Sequence, residues 1–171
     1  MGARFGKWGY NGAMDGRIPM TPDGNFRLRE ELRQLKDIER PKISREIGVA
    51  RDHGDLSENA EYHAAKDRQG WIEARIKDLE DKLSRAEVID PARLSGSKVA
   101  FGATVKLSNI ETEEETVYRL VGADEANLDQ GSISITSPLA RALIGREVGD
   151  EVKVKMPAGD RLYEILEVEY R

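Results

Sequence analysis

Apolar positions recur between Tyr62 and Ala86 at alternating intervals of three and four residues. Tyr62, Ala65, Gln69, Ile72, Ile76, Leu79, Leu83 and Ala86 form this series. So strict an alternation is the seam of a coiled coil, narrower than the apolar face of a globular helix. An earlier series comes in two groups. Leu28, Leu32 and Leu35 keep the heptad, and so do Ile43, Ile47 and Ala50, but the second group sits one residue out of phase. Pro41 lies between them, and its missing N–H and bulky ring predict a kink there. Thr21 as N-cap and Pro22 in the first helical position predict the start of this arm. Two helices joined by a tight turn run antiparallel. At 1.5 Å per residue, arms of about 30 residues reach roughly 45 Å. Any helical hairpin would show the same period, so the pattern alone assigns no function.

Beyond Pro91 the period changes from helical to alternating. Lys98–Phe101, Thr104–Ser108, Thr116–Val121, Ser132–Thr136, Val152–Met156 and Leu162–Tyr170 are predicted strands. Pro157-Ala158-Gly159-Asp160 predicts a hairpin turn between the last two. One short helix interrupts them, capped by Ser137, opened by Pro138 and closed by Gly145. The expected architecture is α+β: an antiparallel coiled-coil hairpin over 18–90, then a small antiparallel sheet with one helix over 91–171. Residues 1–17 hold five glycines and isolated aromatics with no period, and are expected to be a flexible extension.

Composition changes this picture little. Charged residues make up 35% of the chain and mean hydropathy is −0.60, which suits a long solvated helical element. The absence of cysteine excludes a disulfide framework, a thiolate metal site and a thiol nucleophile. No apolar run approaches the ~20 residues of a membrane span, and the N-terminus lacks the apolar core of a secretory signal. A soluble, cytoplasmic protein is expected. A net charge of −5 argues against a protein that coats duplex nucleic acid through counterion release.

The turn between the two arms is the unusual feature. Asp52, Asp55, Glu58 and Glu61 recur every three residues, with no Lys or Arg among them. Gly54 can adopt positive φ and end the first helix. Asp55 and Glu58 then lie at the outermost point of the hairpin, where a carboxylate pair can offer hard oxygen ligands to Mg²⁺. Asp55 and Glu58 also have the spacing of a capping box, Ser57 competes as a cap, and acids suit the first turn of a helix. Both readings stay open on spacing alone. His53 and His63 lack the spacing of a helical zinc pair and are expected to be solvent-exposed. Arg40, Lys42, Arg45, Arg51, Lys66 and Arg68 follow behind the acids and could meet RNA phosphates. Arg51 and Lys66 lie nearest the turn and are the strongest candidates. No catalytic triad order, P-loop or dinucleotide fingerprint is present, so a self-contained catalytic site is not expected.

The run His53-Gly54-Asp55-Leu56-Ser57-Glu58-Asn59-Ala60-Glu61-Tyr62-His63 resembles the tip signature of the Gre family of bacterial transcript cleavage factors. The resemblance continues through Phe101–Val105, Ser137–Asp150 and the strand Tyr163–Tyr170, and covers residues 18–171. It implies a coiled coil followed by a domain of FKBP-like fold that docks at the rim of the secondary channel of RNA polymerase. The coiled coil would then reach the polymerase active site. There Asp55 and Glu58 would help hold a second Mg²⁺ for hydrolysis of backtracked RNA, the polymerase holding the first. Arg51 and Lys66 match a basic patch that meets the extruded RNA 3′ end. The resemblance further implies a monomer that stimulates the polymerase rather than catalysing alone, and that binds no cofactor when free.

Three other readings compete with this one. An inhibitory relative of the Gre factors would occupy the same channel, but this tip matches the active pattern. A prolyl isomerase would need an aromatic-lined pocket, and residues 91–171 offer only Phe101, Tyr118, Tyr163 and Tyr170. A coiled-coil chaperone or scaffold would not need an acidic tip flanked by basic residues.

Overall fold

The phase slip in the first arm has a structural counterpart in the computed structural model, which describes residues 16–54 and 58–171. Helix α1 (Pro22–Gln34) and helix α2 (Arg40–Arg51) are joined by a π-helical turn, Leu35–Glu39. At its end the Arg40 N–H donates to the carbonyl of Leu35, five residues back. A π turn takes one residue more than an α turn. It therefore absorbs the extra residue, and Leu28, Leu35, Ile43, Ile47 and Ala50 are all buried. The expected disruption at Pro41 is corrected accordingly: the slip is taken up just before it, and Pro41 sits in the first turn of α2. A missing N–H is tolerated in that position.

Helix α3 (Ala60–Ser84) forms the second arm and buries Ala65, Ile72, Ile76 and Leu79. The seam predicted from periodicity is the observed one up to Leu83. Its last member, Ala86, is corrected: α3 ends at Ser84 and Ala86 opens a strand. Fully burying an Ile or Leu stabilises by roughly 1.5–3 kcal/mol, so the seam supplies most of the adhesion between the arms. Ion pairs then select the register. Arg75 bonds Glu31 at 2.7 and 3.0 Å, Arg40 bonds Glu73 at 2.7 and 2.9 Å, and Lys36 meets Glu80 at 2.9 Å. The hydrogen bond from Arg40 holds the Glu73 carboxyl below its ordinary range. Such exposed pairs add little stability individually, but mispairing the arms would oppose like charges.

A testable consequence concerns the π turn. Deleting the exposed Ile38 and replacing Pro41 by Ala should leave an uninterrupted α-helix with both apolar groups in one heptad. That variant is expected to melt no lower than the parent by circular dichroism. The same deletion with Pro41 retained should cost about 3 kcal/mol, because the ring then lies in an unwidened helix interior. Equal damage in both variants would show that the π turn is more than a one-residue insertion.

By compactness the described residues divide into Asn25–Arg85, the hairpin, and a second unit of 16–24 with 86–171. In the second unit strand β1 (Ile18–Met20) pairs in parallel with strand β2 (Ala86–Val88). A three-residue strand shows no period in sequence, so neither is legible by alternation. The main sheet contains β3 (Ala103–Asn109), β4 (Glu115–Val121), β5 (Ser132–Ser134), β6 (Glu151–Met156) and β7 (Gly159–Tyr170). Its order is β5-β4-β3-β7-β6. The long β7 pairs with both β3 and β6, and the register slips between Lys106 and Leu107 of β3. The expected antiparallel sheet is antiparallel except at one edge, where β5 runs parallel to β4.

The predicted strand Lys98–Phe101 is a correction. Lys98 forms only an isolated bridge to Glu147. Val99, Ala100 and Phe101 are buried in succession, so their apolar run marks core-filling coil and not a ladder. Ser137 caps helix α4 (Pro138–Leu143), accepting from the Ala140 N–H at 3.2 Å, and Gly145 beyond it has φ +85°. Leu139, Ala140 and Leu143 of α4 pack with the inward side chains Ala103, Val105 and Leu107 of β3.

Buried Glu125 ties the β1–α1 junction to this unit. Its carboxylate accepts from the Thr21 N–H and the Gly122 N–H, both at 3.1 Å, and from the Thr21 hydroxyl. A side chain at Gly122 would meet the Pro19 carbonyl at 2.6 Å, so glycine lets the two segments approach. Residues 1–15 of the expected extension lie outside the described residues. Among the described residues no helix is long and apolar enough to cross a membrane.

Candidate functional site at the hairpin turn

Helix α2 ends at Arg51, and the chain leaves it through two tightened bonds. The Asp52 N–H donates to Val49 at 3.1 Å and the His53 N–H to Ala50 at 3.2 Å. Gly54 follows with φ +121°, the conformation expected of it. Asp55, Leu56 and Ser57 lie outside the described residues. The chain resumes at Glu58, which is exposed, and enters α3 through Asn59.

Asn59 is the N-cap of α3. Its backbone is extended and its Oδ1 accepts from the Tyr62 N–H at 3.0 Å. This bears on the competing readings of the acids. A capping box beginning at Asp55 would put Glu58 in the first turn of the helix, but Glu58 precedes the cap. The cap is Asn59, and it was not read from spacing, although Asn directly before a helical seam is among the strongest cap signals. The Nδ2 of Asn59 also donates to the Ala50 carbonyl at 2.7 Å, so one side chain bonds both arms.

The basic candidates separate into two groups. Arg40 is committed to Glu73, and Arg68 to Glu39 at 2.8 Å and Glu46 at 3.7 Å. Arg51, Lys42, Arg45 and Lys66 are exposed and make no ion pair among the described residues. The Arg51 guanidinium lies 6.0 Å from the centre of the Tyr62 ring, and Lys66 Nζ donates to Gln69 at 3.1 Å. Lys42 and Arg45 line a groove of about 560 Å³ between α2 and α3, together with Arg68. His53 and His63 are exposed as expected, and the His63 ring meets Tyr62 edge-on at 5.6 Å.

Among the described residues no group of three or more His, Cys, Asp or Glu could hold a metal ion. A solvent-facing carboxylate such as Glu58 suits Mg²⁺, which keeps several waters and takes only one or two carboxylates from a given protein. Glu58 is the member of the expected pair that the structure describes, and Asp55 is the other donor expected from sequence.

Comparison with known proteins finds two family matches along the chain. Residues 18–88 match the family described as transcription elongation factor, N-terminal. Residues 94–170 match transcription elongation factor GreA/GreB, C-term. The chain belongs to the GreA/GreB family of transcription elongation factors. The Gre resemblance read from the turn motif therefore extends over both halves of the chain. Among relatives, transcription elongation factor GreA of Hyphomonas neptunium is 59% identical over 155 residues, covering 91% of this chain and 99% of the relative. GreA of Rhodospirillum rubrum is 57% identical over 154 residues, covering 90% of this chain and 98% of the relative. Among solved structures, GreA factor homolog 1 of Thermus thermophilus is 30% identical, covers 90% of this chain and 99% of that one, and has a TM-score of 0.41.

Proposed function

We propose that this Gre factor binds bacterial RNA polymerase and stimulates the polymerase's own Mg²⁺-dependent cleavage of backtracked RNA. The hairpin enters the secondary channel and presents Asp55 and Glu58 to the active site, while the sheet unit, which includes 86–171, supplies docking. The observation that carries this reading is at Glu58: it is exposed, precedes the helix cap, and has no hydrogen-bond or ion-pair partner among the described residues. A Mg²⁺ ion bound there would stabilise the charge that develops during in-line hydrolysis. Glu58 and Asp55 contribute negative oxygen donors to an ion otherwise held by the polymerase, and the chain is not a nuclease by itself. Arg51 and Lys66 hold the phosphates of the extruded RNA 3′ end. The seam gives the arms the stiffness to carry these groups into a channel. Helix α3 alone, with 25 residues at 1.5 Å each, is about 37 Å long.

The test is release of short 3′ fragments from labelled RNA in a stalled bacterial elongation complex, with and without the protein. Faster release is expected, and free RNA with Mg²⁺ and the protein alone should stay intact. No acceleration overturns the proposal, and slower intrinsic cleavage would identify an inhibitory channel factor instead.

The basic residues make a separate prediction. Charge reversal at Arg51 or Lys66 should weaken cleavage most for long extruded RNA, and raising salt should erode the same contacts in the parent protein. A defect indifferent to both RNA length and salt would return these residues to solvated flank charges.

A further inference from the structure

The turn depends on a residue that none of the functional assignments uses. We propose that Asn59 is a positioning residue for cleavage, which clamps the two ends of the acidic segment 51–58 at one point. The proposal rests on the reading of that segment as the stimulating element. Two bonds of opposite sense support it. Nδ2 donates to the last buried turn of α2 at the Ala50 carbonyl, 2.7 Å away, and Oδ1 accepts from the Tyr62 N–H in the first turn of α3, 3.0 Å away. The half-buried Asn59 side chain thus adds a donor to the Ala50 carbonyl, which already accepts from the His53 N–H, and satisfies an orphan N–H of the next helix. The end of α2 and the start of α3 thus meet at a single amide group. Tyr62, whose N–H it holds, also lies under the Arg51 guanidinium. Asn59 therefore sets the ends of the acidic segment and the site of one basic candidate in a common frame.

An ordinary N-cap would need only the acceptor, and Asp serves there about as well as Asn. A short amide carries its donor and its acceptor on separate atoms, so it can reach two partners at once, whereas a carboxylate only accepts. Asn59→Asp keeps the bond to Tyr62, removes the donor and sets a carboxylate oxygen against the Ala50 carbonyl. It separates capping from clamping in the full-length protein.

For Asn59→Asp we expect parent-like helix content and melting, and an unchanged concentration for half-maximal stimulation of a stalled elongation complex. The maximal cleavage rate should fall roughly 10- to 100-fold, the scale on which a small misplacement near a reacting centre acts. In the free protein, exchange of the His53 amide, which shares the Ala50 carbonyl, should quicken about fivefold, the worth of one hydrogen bond. A variant that reaches the parent's maximal rate overturns the proposal, as does one whose rate and half-maximal concentration change in step. Unchanged exchange at His53 overturns it independently of polymerase. Should the parent protein itself fail to stimulate cleavage, the functional reading fails, while the exchange measurement still decides whether Asn59 clamps the segment.

Discussion

Glu58→Gln and Asp55→Asn are each expected to lower stimulated cleavage by about a hundredfold or more, with melting and polymerase binding almost unchanged. The magnitude is that of removing one preorganised electrostatic group from a reacting centre. Gln and Asn keep the shape and hydrogen-bonding reach of the acids and remove only the charge that Mg²⁺ requires. Local structure sharpens the expectation for Glu58. Because Asn59 holds the cap, exchanging Glu58 for Gln leaves the bonds to Tyr62 and Ala50 in place. An exposed substitution away from such features shifts stability by about ±0.5 kcal/mol at most. Cleavage by these variants should recover partly in excess Mg²⁺, since the lost donor weakens the ion's binding and does not abolish the remaining ligands. Fragment release at the parental rate from both variants would remove the acids from the mechanism.

Replacing Asn25–Arg85 by a flexible Gly/Ser linker is expected to abolish cleavage completely while sparing polymerase binding. The boundary follows the compact units, and it differs from a simple cut at residue 91. A fragment beginning there would lack β1, β2 and Thr21, and would leave the buried Glu125 carboxylate without two of its donors. Burying a charge without its partners costs several kcal/mol, enough to unfold a small domain. The linker variant keeps both strands and the whole Glu125 network. It should compete with the full-length protein for polymerase and protect arrested complexes from stimulation. Conversely, the hairpin 25–85 alone should act only at much higher dose, having lost the effective concentration that docking provides. Equal potency of hairpin and full-length protein would sink the division of labour.

Much of this was determined by the sequence itself, wherever a local period or a local cap carried the information. The alternation from Tyr62 to Leu83 marks the buried face of α3 because a coiled-coil seam repeats within a single helix. Ser137, Pro138 and Gly145 bound α4 because capping is settled within a few residues of chain. The alternating runs of β3, β4, β6 and β7 likewise match one buried and one solvated face. Other features required partners distant in sequence. The β1–β2 pair joins residues 18–20 to 86–88, and three residues are too few to reveal a period. β5 is parallel to β4 because of where the chain returns to the sheet edge, which no alternation encodes. Val99–Phe101 resembles a strand by its apolar content, yet those side chains fill the core from coil. In the first arm the sequence announced a one-residue slip, but a π turn and a kink both satisfy that count, and only packing of both groups against α3 selected the turn. At the tip, several short polar residues could each have capped α3 by local rules. Asn59 caps α3 through a local bond to the Tyr62 N–H, but its second bond, to the Ala50 carbonyl of the opposite arm, exists only once the two helices lie side by side.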